Sequence, residues 1–178
     1  MNSRKICLFA FALVFACSYI CPAYSVQKTQ PQTTKSAVIT VPAGEVIHSV
    51  LTTPINSKNA MQGHIVTLVL SEDFYYNGKM ILPADSVVSG TVISVKKAQD
   101  ESASDRVLLR FNQIVTPYGI QIPIFALLQT GDKSGFLNGN HEYFGSDDGR
   151  VIVDVGTPFS LLLNQPITVN PEVYNSNY

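Results

Sequence analysis

Tryptophan is absent from the chain, and cysteine is absent from most of it. The three cysteines, Cys7, Cys17 and Cys21, all lie within the first 25 of 178 residues. The remainder therefore has no disulfide framework and no thiol nucleophile. Its stability must come from a hydrophobic core, and a hydrophobic content of 46% is sufficient for one domain of this length.

Charge is also scarce. Only 14% of the residues are charged, the formal net charge is −1, and the Lys and Arg residues form no basic stripe. Without a basic footprint the chain has no electrostatic means of binding a phosphate backbone. The sequence thus predicts no nucleic-acid partner.

Catalytic and metal-binding motifs are missing as well. His48, His64 and His141 show no ligand spacing, and neither a Gly-x-Ser-x-Gly elbow nor a phosphate-binding glycine loop occurs. His48 and His64 lie in apolar stretches and are expected to be partly buried, with hydrogen-bonded rings. Ser160 lies in a strand with no histidine near it in sequence. We therefore expect no catalytic residue, no metal and no cofactor, and no enzyme.

Two binding alternatives remain open at this stage. A cation site is conceivable where His141 and Glu142 lie near Asp132, Asp147 and Asp148, although the calcium-loop pattern is absent. An aromatic ligand platform is conceivable from Tyr75, Tyr76, Tyr118, Tyr143 and Phe144. Strand alternation argues against it, since one of the neighbours Tyr75 and Tyr76 must point inward.

The N-terminus has the composition of an export signal. Arg4 and Lys5 precede an apolar run from Ile6 to Ile20, and Ala23-Tyr24-Ser25 is a small-x-small cleavage site. We predict a signal peptide over residues 1–25, with an uncleaved anchor or a lipidated Cys17 as alternatives. Residues 26–37 are expected to be a flexible linker, 38–170 a β-domain and 171–178 a disordered tail.

A short turn phrase recurs before apolar runs. Val41-Pro42-Ala43-Gly44, Leu82-Pro83-Ala84-Asp85 and Asp154-Val155-Gly156 each lead into a predicted strand. In the first two phrases proline presets the entry to the turn, and Gly44 and Asp85 occupy positions where φ is expected to be positive. The third phrase has lost this order but keeps Gly156 before its strand. Asn77-Gly78 adds a strong type I′ hairpin signal.

Short apolar runs about ten residues apart predict an all-β fold, a single barrel or barrel-like sandwich with short hairpins. Gly90 is expected at a bulge, Pro123 at a bulge or on an edge strand, and 57–62 as one helical turn. The segment 129–149 is predicted to be one long glycine-rich excursion. Expected strands cover 38–41, 46–53, 64–70, 73–76, 79–82, 86–97, 106–115, 120–128, 150–154, 158–163 and 166–169.

Polar residues in these strands bear on membrane insertion. Arg110 and Asn112 alternate with Val107, Leu109 and Phe111, and a barrel this small has a packed interior. The polar residues must then face water on the outside, where a lipid-facing barrel needs apolar ones. No direct membrane insertion of the mature domain is expected.

Several phrases together resemble the TrbI family, the barrel-forming subunit of type IV secretion and conjugation core complexes. The resemblance covers roughly residues 38–170 and rests on many short matches. They are Gly44-Glu45-Val46-Ile47 with Ile55-Asn56-Ser57, Gly63 to Val66, Asn77 to Gly90 (with Asp85 where the family has Gly), Arg106 to Ile122, Gly131 to Phe144, and Gly156 to Phe159 with Asn164-Gln165-Pro166.

Two departures qualify the role that the resemblance implies. The family has a membrane helix and a long proline-rich arm where this chain has a signal-like start and a short tether. It also has a helical hairpin where this chain has only Gly145 to Gly149. The resemblance implies an exported, non-enzymatic envelope module that binds other envelope proteins or itself. Its interaction loop would include His141, Glu142, Tyr143 and Phe144. The alternative is a periplasmic or surface domain that binds a glycan or peptide.

Overall fold

The computed structural model describes residues 38–99, 103–132, 134–141, 144–146 and 148–171. The predicted signal peptide, linker and most of the tail lie outside these residues. The described strands are β1 (Ile39–Val41), β2 (Val46–Leu51), β3 (Ile55–Asn56), β4 (Ile65–Leu70), β5 (Phe74–Tyr76), β6 (Lys79–Leu82), β7 (Val87–Lys96), β8 (Arg106–Val115), β9 (Gln121–Leu128), β10 (Phe136–Asn138), β11 (Ile152–Val153), β12 (Pro158–Leu163) and β13 (Ile167–Val169).

Six of these strands close into an antiparallel barrel. Their order is β8-β7-β4-β2-β12-β9, and β9 pairs back onto β8. β9 closes the barrel, because its residue Ala126 is paired with Phe111 of β8 on one side and with Leu163 of β12 on the other. The predicted all-β barrel is confirmed.

The interior is filled by alternate residues of each strand. In β8, Val107, Leu109 and Phe111 are fully buried, while Arg110 and Asn112 are exposed. Ile122 and Ile124 of β9 face the same core. The side-chain period of two in the sequence thus corresponds to the two faces of the barrel wall.

Gly90 lies at a point where the wall bends. The β7–β8 register shifts between Ser89 and Gly90, so the predicted bulge is confirmed. A Cβ atom at Gly90 would lie 2.5 Å from Cδ1 of Phe111 and 2.6 Å from the carbonyl oxygen of Arg110. Pro123 also lies beside a register shift, in β9 opposite Gln113. Its missing N–H is tolerated there because the ladder is already irregular.

Three features differ from the expected elements. A strand, β10, forms inside the 129–149 excursion and pairs with the start of β8. The short β3 pairs with β11, which covers only two residues of the expected strand 150–154. The helical turn expected over 57–62 is a single turn over 56–60, in which the N–H groups of Asn59 and Ala60 donate to the Asn56 carbonyl. Strands of two or three residues are too short for a period of two to be recognised.

Hairpins and a small sheet complete the fold. β5 and β6 form the hairpin predicted around Asn77-Gly78, and β1 pairs with β13. The Thr116–Ile120 turn joins β8 to β9, with φ of +78° at Gly119. None of the described residues forms a helix with the length and apolarity needed to span a membrane.

Candidate interaction site at the loop end of the barrel

The barrel has two unlike ends. At one end, which we call the loop end, β2, β7 and β9 finish and β4, β8 and β12 begin. Its connections are the long segments 52–64, 97–105 and 129–157. The opposite end carries the β5–β6 hairpin and the tight Thr116–Ile120 turn. The longest connection between strands of the barrel, 129–157, is therefore at the loop end.

A buried polar cluster fastens the loop end together. The Ser57 hydroxyl donates to Oδ2 of Asp105 at 2.5 Å, and the Ala98 N–H donates to Oδ1 at 2.8 Å. Lys97 lies with its ammonium 3.5 Å from the same carboxylate and also donates to the Ser57 carbonyl. The Val151 N–H donates to the Ser57 hydroxyl. The Asp105 carboxylate thus joins the connections 52–64 and 97–105, and the Ser57 hydroxyl adds the third connection, 129–157.

The main chain of Asp105 extends the same cluster. Its N–H donates to the carbonyl of Gly149, and its carbonyl accepts from the N–H of Gly139, at 2.8 and 2.9 Å. Asp105 is only 6% exposed, and burial by itself disfavours the charged form. The hydrogen bonds from Ser57 and Ala98 and the charge of Lys97 outweigh that burial and lower the pKa of Asp105 below 3.8.

Glycines allow the 139–151 segment to fold tightly on itself. A side chain at Gly139 would overlap the carbonyl of Gly149, and one at Gly145 would overlap the carbonyl of Gly139. Gly145 and Val151 form an isolated antiparallel bridge. The backbones cross here at distances that exclude a Cβ atom.

A stack of aromatic rings connects this segment to the core. His141 stacks on Phe144 with ring centroids 4.7 Å apart, and Phe144 stacks on the buried Phe159 at 5.2 Å. His141 is exposed, and Phe144 is half-buried. Glu142 and Tyr143, predicted to belong to the same interaction loop, lie outside the described residues. The two described residues of the predicted loop, His141 and Phe144, thus form a stack of rings that leads from the buried Phe159 to the surface. We call this stack the aromatic step.

Beside this step lies a groove of about 390 Å³, which we call the aromatic groove. Its lining combines aromatic rings with side-chain amides, a hydroxyl and one carboxylate. Its lining residues are Gln129, Thr130, Gly131, Asp132, Phe136, Asn138, Asn140, His141 and Phe144.

One wall of the aromatic groove is a turn organised by Asp132. Its carboxylate accepts from the hydroxyls of Thr130 and Ser134 and from the Ser134 N–H. Led by the Thr130 hydrogen bond, these contacts lower the pKa of Asp132 to about 2, and Arg106 is 3.9 Å away. The Arg106 guanidinium lies over the Phe136 ring at 4.6 Å. The carboxylate therefore holds the turn and remains ionised.

A second groove, of about 630 Å³, shares Gln129, Thr130 and Gly131 with the aromatic groove; we call it the leucine groove. Leu127 of β9 and Leu162 of β12 are in register across its floor. The described residues that line it are all uncharged: Leu127, Leu128, Gln129, Thr130, Gly131, Gly135, Leu162 and Asn164.

The predicted turn residues all have positive φ angles. The values are +98° at Gly44, +61° at Asp85 and +92° at Gly156, and +51° and +73° at Asn77 and Gly78. Each is a surface turn, and none of these five residues lines the grooves at the loop end.

The histidines lie apart, and the partial burial expected for two of them is wrong. His48 and His64 are exposed rather than partly buried, because His48 points outward from β2 and His64 precedes β4. Ser160 does have a histidine nearby: His48 Nδ1 is 3.4 Å from its hydroxyl, across the β2–β12 pair. Strand pairing between distant segments produced a contact that sequence proximity could not show.

The candidate binding sites from sequence are not assembled by the described residues. Tyr75 and Tyr118 are exposed at the end opposite Phe144, and Tyr76 packs on the core. No group of three or more metal-ligating side chains is present in the described ranges. Sequence reasoning also missed the Asp105 cluster, whose members have no characteristic spacing; the small polar Ser57 between apolar stretches was the one available signal.

These features define a class: a closed six-stranded antiparallel β-barrel with its grooves and its buried polar cluster at one end. The family described as bacterial conjugation TrbI-like protein matches residues 40–143, more than half of the chain. The chain belongs to the TrbI-like family, as its turn and strand phrases suggested. None of the curated proteins matches it. Among solved structures, ComB10 of the Com type IV secretion system of Helicobacter pylori is similar at 18% sequence identity and a TM-score of 0.47, over 71% of this chain and 88% of that one.

Proposed function

We propose that this chain is a non-enzymatic assembly module of the cell envelope, working in a conjugation or type IV secretion apparatus. The observation that carries the proposal is the family match over residues 40–143, which spans most of the barrel. The geometry supports it, because the loop end offers two grooves and an aromatic step, while polar side chains such as Asp105 and Asp132 are engaged in holding loops. Partners would be other envelope proteins or further copies of the chain.

Loss of the gene tests this role. Deletion from a donor strain should abolish plasmid transfer or cargo secretion, and the wild-type gene should restore it. Ser160→Ala and His48→Ala should restore it equally well, since the 3.4 Å contact between these residues lies on a strand face outside both loop-end grooves. Loss of transfer with either variant, at normal protein level and stability, would replace this proposal with an enzymatic one.

The proposal includes export. We infer cleavage after Ser25, which would leave a chain of formal charge −3, with 10 basic and 13 acidic residues. Intact-mass measurement of the envelope fraction distinguishes this from a retained anchor or a diacylglycerol on Cys17. The mature domain should then purify without detergent.

The runner-up is a glycan- or peptide-binding domain, which the aromatic groove favours. The His141 and Phe144 rings line it, and Asn138 and Asn140 place amides beside them. Size measurement separates the two roles. An assembly module should grow in mass with concentration, whereas a ligand-binding domain should stay monomeric and show ligand-dependent shifts in the NMR signals of His141 and Asn140.

A further inference from the structure

Strand β10 has one edge that no described strand pairs with. It stands at the end of the strand order, next to β8 alone, and its Phe136 and Asn138 line the aromatic groove. Beyond the strand, the Gly139 N–H donates to the Asp105 carbonyl. Main-chain groups alternate in an antiparallel ladder, so those of Leu137 point toward β8. Those of Phe136 and Asn138 therefore point away from β8, toward the groove.

Half of the main-chain groups on this edge are already used. The Phe136 N–H donates to the Ser134 hydroxyl, and the Asn138 carbonyl accepts from the His141 N–H. The Phe136 carbonyl and the Asn138 N–H have no hydrogen-bond partner among the described residues. A strand edge with an open acceptor and an open donor is a template for a further strand.

Two cations lie in register with this edge on the outer face of the wall. Lys96 is directly opposite Arg106 across the β7–β8 pair, and Arg106 is opposite Asn138 across the β8–β10 pair. Both cations lean toward β10, since Lys96 Nζ and the Arg106 guanidinium are 5.6 and 4.6 Å from the centre of the Phe136 ring. Like charges in directly opposed positions repel each other, so an added anion would be stabilised here.

The nearest carboxylate does not neutralise the two cations. Asp132 is 3.9 Å from Arg106, beyond hydrogen-bonding distance, and its oxygens accept from Thr130 and Ser134. The Nε atom of Arg106 is buried with no acceptor among the described residues, and none of their carboxylates is within ion-pair distance of Lys96. Two positive charges thus face one negative charge around the Phe136 ring.

We propose that an extended acidic segment of a partner protein adds to β10 as a further strand. Its backbone bonds the Phe136 carbonyl and the Asn138 N–H, and a carboxylate on its outward face reaches Arg106 and Lys96. A free anion or an acidic sugar could satisfy the cations, but only a peptide also supplies a donor and an acceptor at strand spacing. This inference rests on the proposed assembly role, for which it names the chemistry of one partner.

A peptide titration of the isotope-labelled full chain, followed by NMR, tests the charge requirement. The probe is acetyl-Val-Glu-Val-Glu-Val-amide, and the control peptide has Gln in place of each Glu. The Glu peptide should bind with a dissociation constant of about 1 mM or less and shift the amide signals of Asn138 and Gly139. The Gln peptide should bind about tenfold more weakly. Acetate and glucuronate serve as anions without a peptide backbone and should bind more weakly than the Glu peptide.

Backbone methylation tests strand addition itself, because an added strand bonds its neighbour through one edge only. Successive residues of a strand turn their main-chain groups to opposite edges. N-methylation of the Glu residues therefore blocks one edge of the probe, and N-methylation of the Val residues blocks the other. One of these two peptides should lose binding and the other should keep it.

Variants of the chain test the residues. Arg106→Gln should raise the dissociation constant of the Glu peptide about tenfold and Lys96→Gln about threefold, whereas Lys79→Gln, at an exposed position of the opposite end, should not change it. Asn138→Pro removes the open N–H, and an edge strand tolerates proline there. It should bind more weakly than Asn138→Ala, which keeps the N–H. Unfolding midpoints check that each variant is folded, and Lys96 is exposed, so Lys96→Gln leaves the core intact.

Three results would overturn the inference: no shift of the Asn138 amide with the Glu peptide, equal affinity for the Glu and Gln peptides or for acetate, or equal affinity for the two methylated peptides. The transfer assay reports separately on the proposed function. Loss of transfer on deletion of the gene, without peptide binding, would leave the assembly role standing and remove this site. Peptide binding with no transfer defect on deletion would keep the site and remove the secretion role.

Discussion

Removing the Asp105 carboxylate should weaken the whole loop end. Asp105→Ala deprives the Ser57 hydroxyl and the Ala98 N–H of their acceptor, at positions where Ser57 is fully buried. A hydrogen bond to a charged acceptor contributes about 1.5–3 kcal/mol. The Lys97 side chain is half exposed, so its ion pair adds little. We expect Asp105→Ala to lower the free energy of unfolding by about 2–4 kcal/mol, and the isosteric Asp105→Asn by about 1–2 kcal/mol.

The pH dependence gives a second measure of the same group. The folded pKa of Asp105 lies below its unfolded value near 3.8, so its contribution is fully present above that value. It is lost as pH falls from there through the lowered folded pKa. The stability difference between wild type and Asp105→Asn should therefore be constant from pH 7 to about 5 and shrink below pH 3.8.

Urea unfolding at pH 7 and at pH 3, followed by circular dichroism, provides both numbers. Asp132→Asn is the matched control, since that carboxylate also has a lowered pKa but is exposed at the surface. It should cost less than Asp105→Asn at pH 7. If Asp105→Ala unfolds within 0.5 kcal/mol of wild type, or if its deficit is the same at both pH values, the buried cluster does not hold the loop end together.

Three further substitutions test other close contacts. Gly90→Ala should destabilise by about 1–3 kcal/mol in urea because its methyl group meets Phe111 and a backbone carbonyl, whereas Gly131→Ala, with open space around it, should be neutral; equal effects would contradict the bulge geometry. Asp85→Gly should be tolerated and Asp85→Val should cost about 1–2 kcal/mol, because φ at this turn is +61°; identical unfolding midpoints would argue against strain there. Gly145→Ala should increase amide exchange in the 139–151 segment while leaving the β8 amides protected, and unchanged exchange would show that the backbones do not cross so closely.

Much of the barrel was predictable because its strands are long enough for periodicity to show. β9 alternates over its eight residues and β8 over its first seven. The turns between strands carry Pro, Gly and Asn at positions where the backbone angles favour these residues. β3 and β10 were not predictable, since they exist through pairing with distant segments and have no pattern of their own. The fold of short elements is decided by tertiary context.

The loop end was only partly predictable for a related reason. The sequence indicated that 129–149 is an unusual segment and that His141 and Phe144 belong to it. It did not indicate that Asp105, 46 residues before Val151, joins the segment to the rest of the barrel through Ser57. Side-chain hydrogen bonds between separate loops leave no periodic trace.

The pairing of first and last strands has a consequence for when the barrel can form. Thr40 and Thr168 face each other from positions 128 residues apart, and His48 lies opposite Ser160 across 112 residues. The N-terminal strands therefore have no C-terminal partners until nearly the whole chain is available. Such long-range closure is intrinsically slow. Because β12 and β13 supply these partners, the wall of the barrel can close only after the chain has been synthesised as far as Val169.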